Sequence, residues 1–151
     1  MSMIMKKILL FILLLMAALY AEAQCTQPYK AFNQFANDTT AFLRYNFKAR
    51  ADCYKGKTVE YLLKDLQLKP IAIMVSYSTS VGKYDGICIF VDNSKWNIAN
   101  SQKDQYIYIY WSDLLDNANV IKMGKNYKGV WNQQYYDFFK NMVVGEVKYY
   151  K

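Results

Sequence analysis

Residues Tyr106-Ile107-Tyr108-Ile109-Tyr110-Trp111 alternate between two kinds of side chain without a break. A β-strand sends successive side chains to opposite faces. The stretch therefore reads as a strand with Tyr106, Tyr108 and Tyr110 on one face and Ile107, Ile109 and Trp111 on the other. Both faces are rich in apolar surface, so each must be covered by the fold or offered to a partner.

Working outward, residues 86–92 are apolar on both faces and predict a second strand, with Cys88 inside it. Residues 71–78 alternate Ile71, Ile73, Val75 and Tyr77 with Ala72, Met74, Ser76 and Ser78, a period-two pattern that predicts a third. Residues 80–85, with Gly82, connect these two, and the polar stretch 93–104 is the longest loop. Beyond Trp111 the sequence predicts a short helix from Asp113 to Asn117, a basic glycine-bounded loop over 124–129, and a helix over 132–142. That helix carries Tyr135, Phe138, Phe139 and Met142 on one side, and a final strand over 143–149 follows it.

Upstream, Val59, Leu62, Leu63 and Leu66 fall at i, i+3, i+4 and i+7, with Thr58 as N-cap and Lys69-Pro70 closing the helix. Residues 29–50 are also helical by spacing, bent or broken near Asn37, with Asp38 as a cap. The expected fold is α+β: N-terminal helices, an antiparallel three- to four-stranded meander and a C-terminal helix. No repeat or low-complexity linker divides the chain.

At the N-terminus, Lys6 and Lys7 precede the apolar run 8–19, and Ala21 and Ala23 stand at −3 and −1 of a cleavage site before Gln24. This is the order of a secretory signal peptide, and the run is well short of the ~20 residues of a membrane-spanning helix. Residues 1–23 are thus expected to be a signal peptide and 24–151 one α+β domain, secreted or periplasmic, with no stable membrane insertion after cleavage. Gln24 and Glu22 occupy the positions where a lipid-attachment signal before Cys25 needs a small residue and leucine, so lipidation is not expected.

An oxidising compartment permits disulfides. Cys25 and Cys53 flank a helical stretch and are the favoured pair, leaving Cys88 as a small buried hydrophobe.

The chain contains no histidine. That excludes Ser-His-Asp and Cys-His chemistry and imidazole metal ligation. Three cysteines cannot build a four-thiolate zinc site. Asp92, Asp104, Asp113 and Asp116 are the carboxylates nearest to a catalytic pair, and they read more simply as strand ends and a helix cap. Gly56-Lys57-Thr58 lacks the first glycine of a phosphate loop and follows a helix rather than a strand. No cofactor and no metal are expected, and the chain is not expected to be an enzyme; an Asp-dependent hydrolase is the residual catalytic reading.

A net charge of +7 accompanies 15 Tyr, 8 Phe and 3 Trp. Basic residues beside aromatics can bind nucleic acid, but there are only two arginines, Arg44 and Arg50, and no nucleic-acid motif, so nucleic acid is not an expected partner.

The segment Gly56-Lys57-Thr58-Val59-Glu60-Tyr61-Leu62-Leu63, followed by antiparallel strands, resembles the small outer-membrane assembly lipoproteins of the SmpA/OmlA type, in which two helices precede a three-stranded sheet. The resemblance covers a minor part of the chain and implies an envelope setting. The lipid-attachment signal is missing and the C-terminal region is additional, so no functional residue follows from it.

The functional expectation is an exported, non-catalytic binding protein of the cell envelope or extracellular space. Its partner is an envelope or secreted protein, or a glycan. Its candidate surface is Tyr106, Tyr108 and Tyr110, with Trp96 in the adjoining loop. The favoured cover for the tyrosines within the fold is the C-terminal helix, through Phe138 and Phe139; the other outcome is an exposed ring surface. A second functional class is an inhibitor or immunity-type protein that blocks an exported enzyme or toxin.

Overall fold

The computed structural model describes residues 25–80, 82–91, 105–115, 120, 121, 123 and 129–151. The expected signal peptide, Trp96, the 93–104 loop, Asp92, Asp104, Asp116 and the basic residues 122, 125 and 128 lie outside these residues.

Among the described residues, three α-helices and a four-stranded antiparallel sheet make up an α+β fold. The strands are β1 (Pro70–Ser78), β2 (Lys83–Val91), β3 (Tyr106–Leu115) and β4 (Val144–Tyr150), in the order β1-β2-β3-β4. Helix α1 is Thr39–Leu43, α2 is Val59–Asp65 and α3 is Gln133–Phe139.

Local chemistry sets the helix boundaries. Asp38 caps α1 by accepting from the Ala41 amide at 3.0 Å, and Thr58 caps α2 by accepting from the Tyr61 amide at 3.2 Å. The break ahead of α1 consists of two left-handed residues, Ala36 (φ 49°) and Asn37 (φ 62°). It separates the 3-10 turn Phe32–Phe35 from α1. From Arg44 to Ala49 the helix widens into a π-turn, which buries Asn46 and Phe47 together, and Ala51–Tyr54 closes the region as a 3-10 turn.

Two expectations are corrected. No helix begins at Asp113: β3 runs on through Ser112–Leu115, held at its bend by the Ser112 amide donating to the Val143 carbonyl at 3.0 Å. Asn132 lies outside α3 and caps it, its Oδ1 accepting from the Gln134 and Tyr135 amides at 2.9 and 3.2 Å.

The main core lies on one face of the sheet; a smaller buried cluster of Ala72, Cys88 and Phe90 lies on the other. In the main core, Ile73, Ile87, Ile89, Val91, Ile107, Ile109, Trp111 and Val147 are buried against Phe42, Phe47, Tyr54, Leu62 and Leu66. A run of rings ties the N-terminal helical region together: Phe32 and Phe47 each meet Phe42 edge-on at 5.3 and 5.9 Å, and Phe47 stacks on Tyr54 at 5.3 Å. Aromatic pairs of this geometry add to the stabilisation from burial alone.

Cys25 and Cys53 are joined by a disulfide across a sequence separation of 28. It fastens the segment that presents the Gln27 carbonyl to Arg50 Nε at 2.9 Å. Closing a loop of this length stabilises by about 3–4 kcal/mol on the chain-entropy model. A Cys25→Ser/Cys53→Ser variant should lose that much in urea unfolding, and dithiothreitol should bring the native chain to the variant's midpoint. An unchanged midpoint would show that the Arg50 contacts alone hold the segment.

Candidate interaction surface

The face of the sheet opposite the core is built by register. Ala72, Met74 and Ser76 of β1 pair with Phe90, Cys88 and Gly86 of β2. These pair with Tyr106, Tyr108 and Tyr110 of β3, which in turn meet Tyr150, Lys148 and Glu146 of β4. Twelve side-chain positions thus form one face, with the three predicted tyrosines along its third strand.

The helix expected to cover the tyrosines lies on the other side. Phe139 of α3 stacks on Trp111 at 5.4 Å, and Trp111 belongs to the core face. The apolar packing around Cys88 and Phe90 includes the β-strand residues Ala72, Ile71, Tyr106 and Tyr108. The tyrosines are half-buried by one another and by their sheet neighbours, while Met74 and Tyr150 are exposed at 50% and 39%.

Ring orientation matters more than ring number. Tyr108 and Tyr110 stack at 4.1 Å with planes 20° apart. Lys148 Nζ lies over the Tyr110 ring, 4.7 Å from its centroid. Tyr106 stacks on Tyr150 at 5.0 Å and meets Phe90 at 5.2 Å. The rings thus pack chiefly on one another.

Tyr108 reaches over Gly86 and donates its hydroxyl to Asp85 Oδ1 at 3.2 Å. Burial raises the pKa of Tyr106, Tyr108 and Tyr110 above the ordinary phenol value. Their hydroxyls are therefore neutral donors and acceptors at physiological pH. Cys88 sits among them as a buried free thiol. Burial, reinforced by the Asp85 carboxylate, pushes it up to about 12, which keeps it protonated and unreactive at neutral pH.

Sequence reading named Tyr106, Tyr108 and Tyr110 but not Phe90, Tyr150, Met74 or Lys148. Those four share the face only through strand register, which their own sequence neighbourhoods do not reveal. Asp113 stands exposed on β3, and among the described residues no group of three His, Cys, Asp or Glu side chains could hold a metal ion. No family model, curated protein or solved structure matches the chain.

Proposed function

We propose that this is an exported, non-catalytic binding protein whose tyrosine face docks a partner protein. The stacking of the rings on one another carries the choice of partner. A base stacks on an open aromatic face, and here Tyr106 already packs on Tyr150 and Phe90, and Tyr110 on Tyr108 and under Lys148. The face also offers hydroxyls, a methionine and a Lys148–Glu146 pair at 3.1 Å. Tyrosine combines large apolar area with a polar tip and little conformational freedom to lose, which is why it is enriched where proteins meet.

The test is affinity capture from envelope extract with the exported domain and two variants. Tyr106→Ser/Tyr108→Ser/Tyr110→Ser removes the platform. Met74→Glu places a charge on the same face at an exposed position, where folding is indifferent to it. One protein recovered in near-equal amount by the native chain should be lost with both variants, a weakening of at least ~100-fold for the triple change. Capture that survives both variants, or recovery of a polysaccharide in place of a protein, would overturn the assignment.

A further inference from the structure

The sheet has a second feature that the tyrosine face does not use, the outer edge of β4. At its start this edge is closed: the Val144 amide donates to the Lys57 carbonyl and the Gly56 amide to the Val144 carbonyl, both at 2.8 Å. From Gly145 to Tyr150, no backbone hydrogen bond joins β4 to another described segment on that side. Alternate residues of a strand direct their amide and carbonyl away from its one partner, so this edge is a template for a further strand.

Two cavities lie along the same edge. One of about 370 Å³ is lined by Ala51, Asp52, Lys55, Gly145, Glu146 and Val147. The next, about 200 Å³, is lined by Lys48 and by Val147–Tyr150. They meet at Val147 and together follow the strand past the helical turns that carry Lys48 and Lys55. Both lysines are exposed, and neither has a carboxylate within ion-pair distance among the described residues. Asp52 and Glu146 are the acidic groups of the lining, and Glu146 is already neutralised by Lys148. Against the one unpaired carboxylate of the described lining, Asp52, the two lysines Lys48 and Lys55 leave the edge net positive.

We infer that the open edge of β4, from Gly145 to Tyr150, accepts an extended acidic segment of a partner protein as a fifth strand. Main-chain hydrogen bonds to β4 hold the segment, and Lys48 and Lys55 select its carboxylates. This is strand addition, in which the backbone supplies affinity and flanking side chains supply specificity. It stands on the edge and its lysines; Glu146, Lys148 and Tyr150 belong to both this edge and the tyrosine face, whereas Lys48 and Lys55 belong to the edge alone.

The probe is an acetylated, amidated hexapeptide of alternating valine and glutamate, titrated into labelled native protein and followed by amide shifts and hydrogen exchange. Shifts and gained protection should concentrate in residues 145–150. A peptide with lysine in place of glutamate should bind at least tenfold more weakly. Lys48→Glu/Lys55→Glu, both surface changes, should weaken the acidic peptide by a similar factor, while Met74→Glu should leave its affinity unchanged. No binding at millimolar peptide, shifts confined to Met74, Phe90, Tyr106, Tyr108 and Tyr110, or equal binding of both peptides would each overturn the inference. None of these results bears on capture through the tyrosines, so the two readings fail separately.

Discussion

Replacing Gly86 with valine is expected to destabilise the domain by about 4 kcal/mol or more, a large share of the 5–15 kcal/mol that holds a typical domain together. Gly86 is in the middle of β2, which is paired on both sides. An added Cβ would run into the Ile109 carbonyl oxygen of β3, would lie 2.8 Å from Tyr108 Cε1 and would be 3.2 Å from the Ile109 carbonyl carbon. The ring could swing away, but the carbonyl belongs to a strand clamped between β2 and β4 and has nowhere to go. The damage therefore comes from close approach of two backbones, and it separates into parts. Gly86→Ala should already cost most of it, and Tyr108→Ala placed on top should recover little. Urea unfolding followed by tryptophan fluorescence reads all three. A Gly86→Ala chain within about 1 kcal/mol of the native one would mean that the strands can part there at little cost. The same close approach lets the Tyr108 ring lie over β2 and stack on Tyr110, so the glycine is part of how the tyrosine face is shaped.

The tyrosine strand could be read because alternation is a local property: Tyr106 to Trp111 announce two faces whatever they pack against. The apolar stripe of α2 and its Thr58 cap are local in the same sense. What escaped was set by distant partners. The spacing of Tyr135 and Phe139 shows which side of α3 is apolar, but not which face of the sheet receives it. That is settled by Trp111, which falls on the isoleucine face and takes Phe139 as its stacking partner. The extension of β3 through Ser112 and Asp113 has no alternating signal, because its order comes from pairing with the Val143–Val144 region. The left-handed pair at Ala36 and Asn37 is half visible. Asparagine tolerates that conformation, whereas an alanine there gives no warning. The π-turn at Arg44–Ala49 likewise gives no local signal; it buries Asn46 and Phe47, and the buried Arg50 that follows it needs partners.

That need leads to the second large effect. Arg50 is 5% exposed, and burying a guanidinium is costly unless it is paired and hydrogen-bonded. Its Nε donates to the Gln27 carbonyl at 2.9 Å, and Nη1 donates to Asn46 Oδ1 at 3.2 Å and to Tyr54 Oη at 3.3 Å. The Asp65 carboxylate stands 4.0 Å from Nη1 and accepts the Tyr54 hydroxyl at 3.1 Å. The cluster links the disulfide-bonded N-terminal segment, the π-turn and the end of α2. Asp65→Ala leaves the buried cation without its counter-charge and is expected to cost about 3 kcal/mol. The range for breaking a buried pair is about 3–5 kcal/mol, and the low end applies because Asp65 is partly exposed and the contact is long. Arg50→Met/Asp65→Leu, which removes both charges and keeps the volume, should cost less than Asp65→Ala alone. If the double variant proves the less stable of the two, the ion pair is contributing net stability beyond the avoidance of an orphaned charge. The same cluster predicts a direction with pH. Tyr54 is raised above the ordinary phenol value, chiefly by burial and next by the Asp65 carboxylate, against the opposing pull of Arg50. A raised folded-state value means that the neutral phenol is the form the fold stabilises. Its contribution is complete below the unfolded value of about 10 and drains away as the pH climbs past it. Unfolding midpoints in urea should therefore hold steady from neutral pH to about 8, fall first because the Cys88 thiol, raised by folding in the same sense, ionises sooner in the unfolded chain, and fall further above about 10, where Tyr54→Phe should flatten the decline. An equally steep decline above about 10 in Tyr54→Phe would place that alkaline sensitivity with the other raised tyrosines, those of the sheet face and Tyr29 and Tyr149.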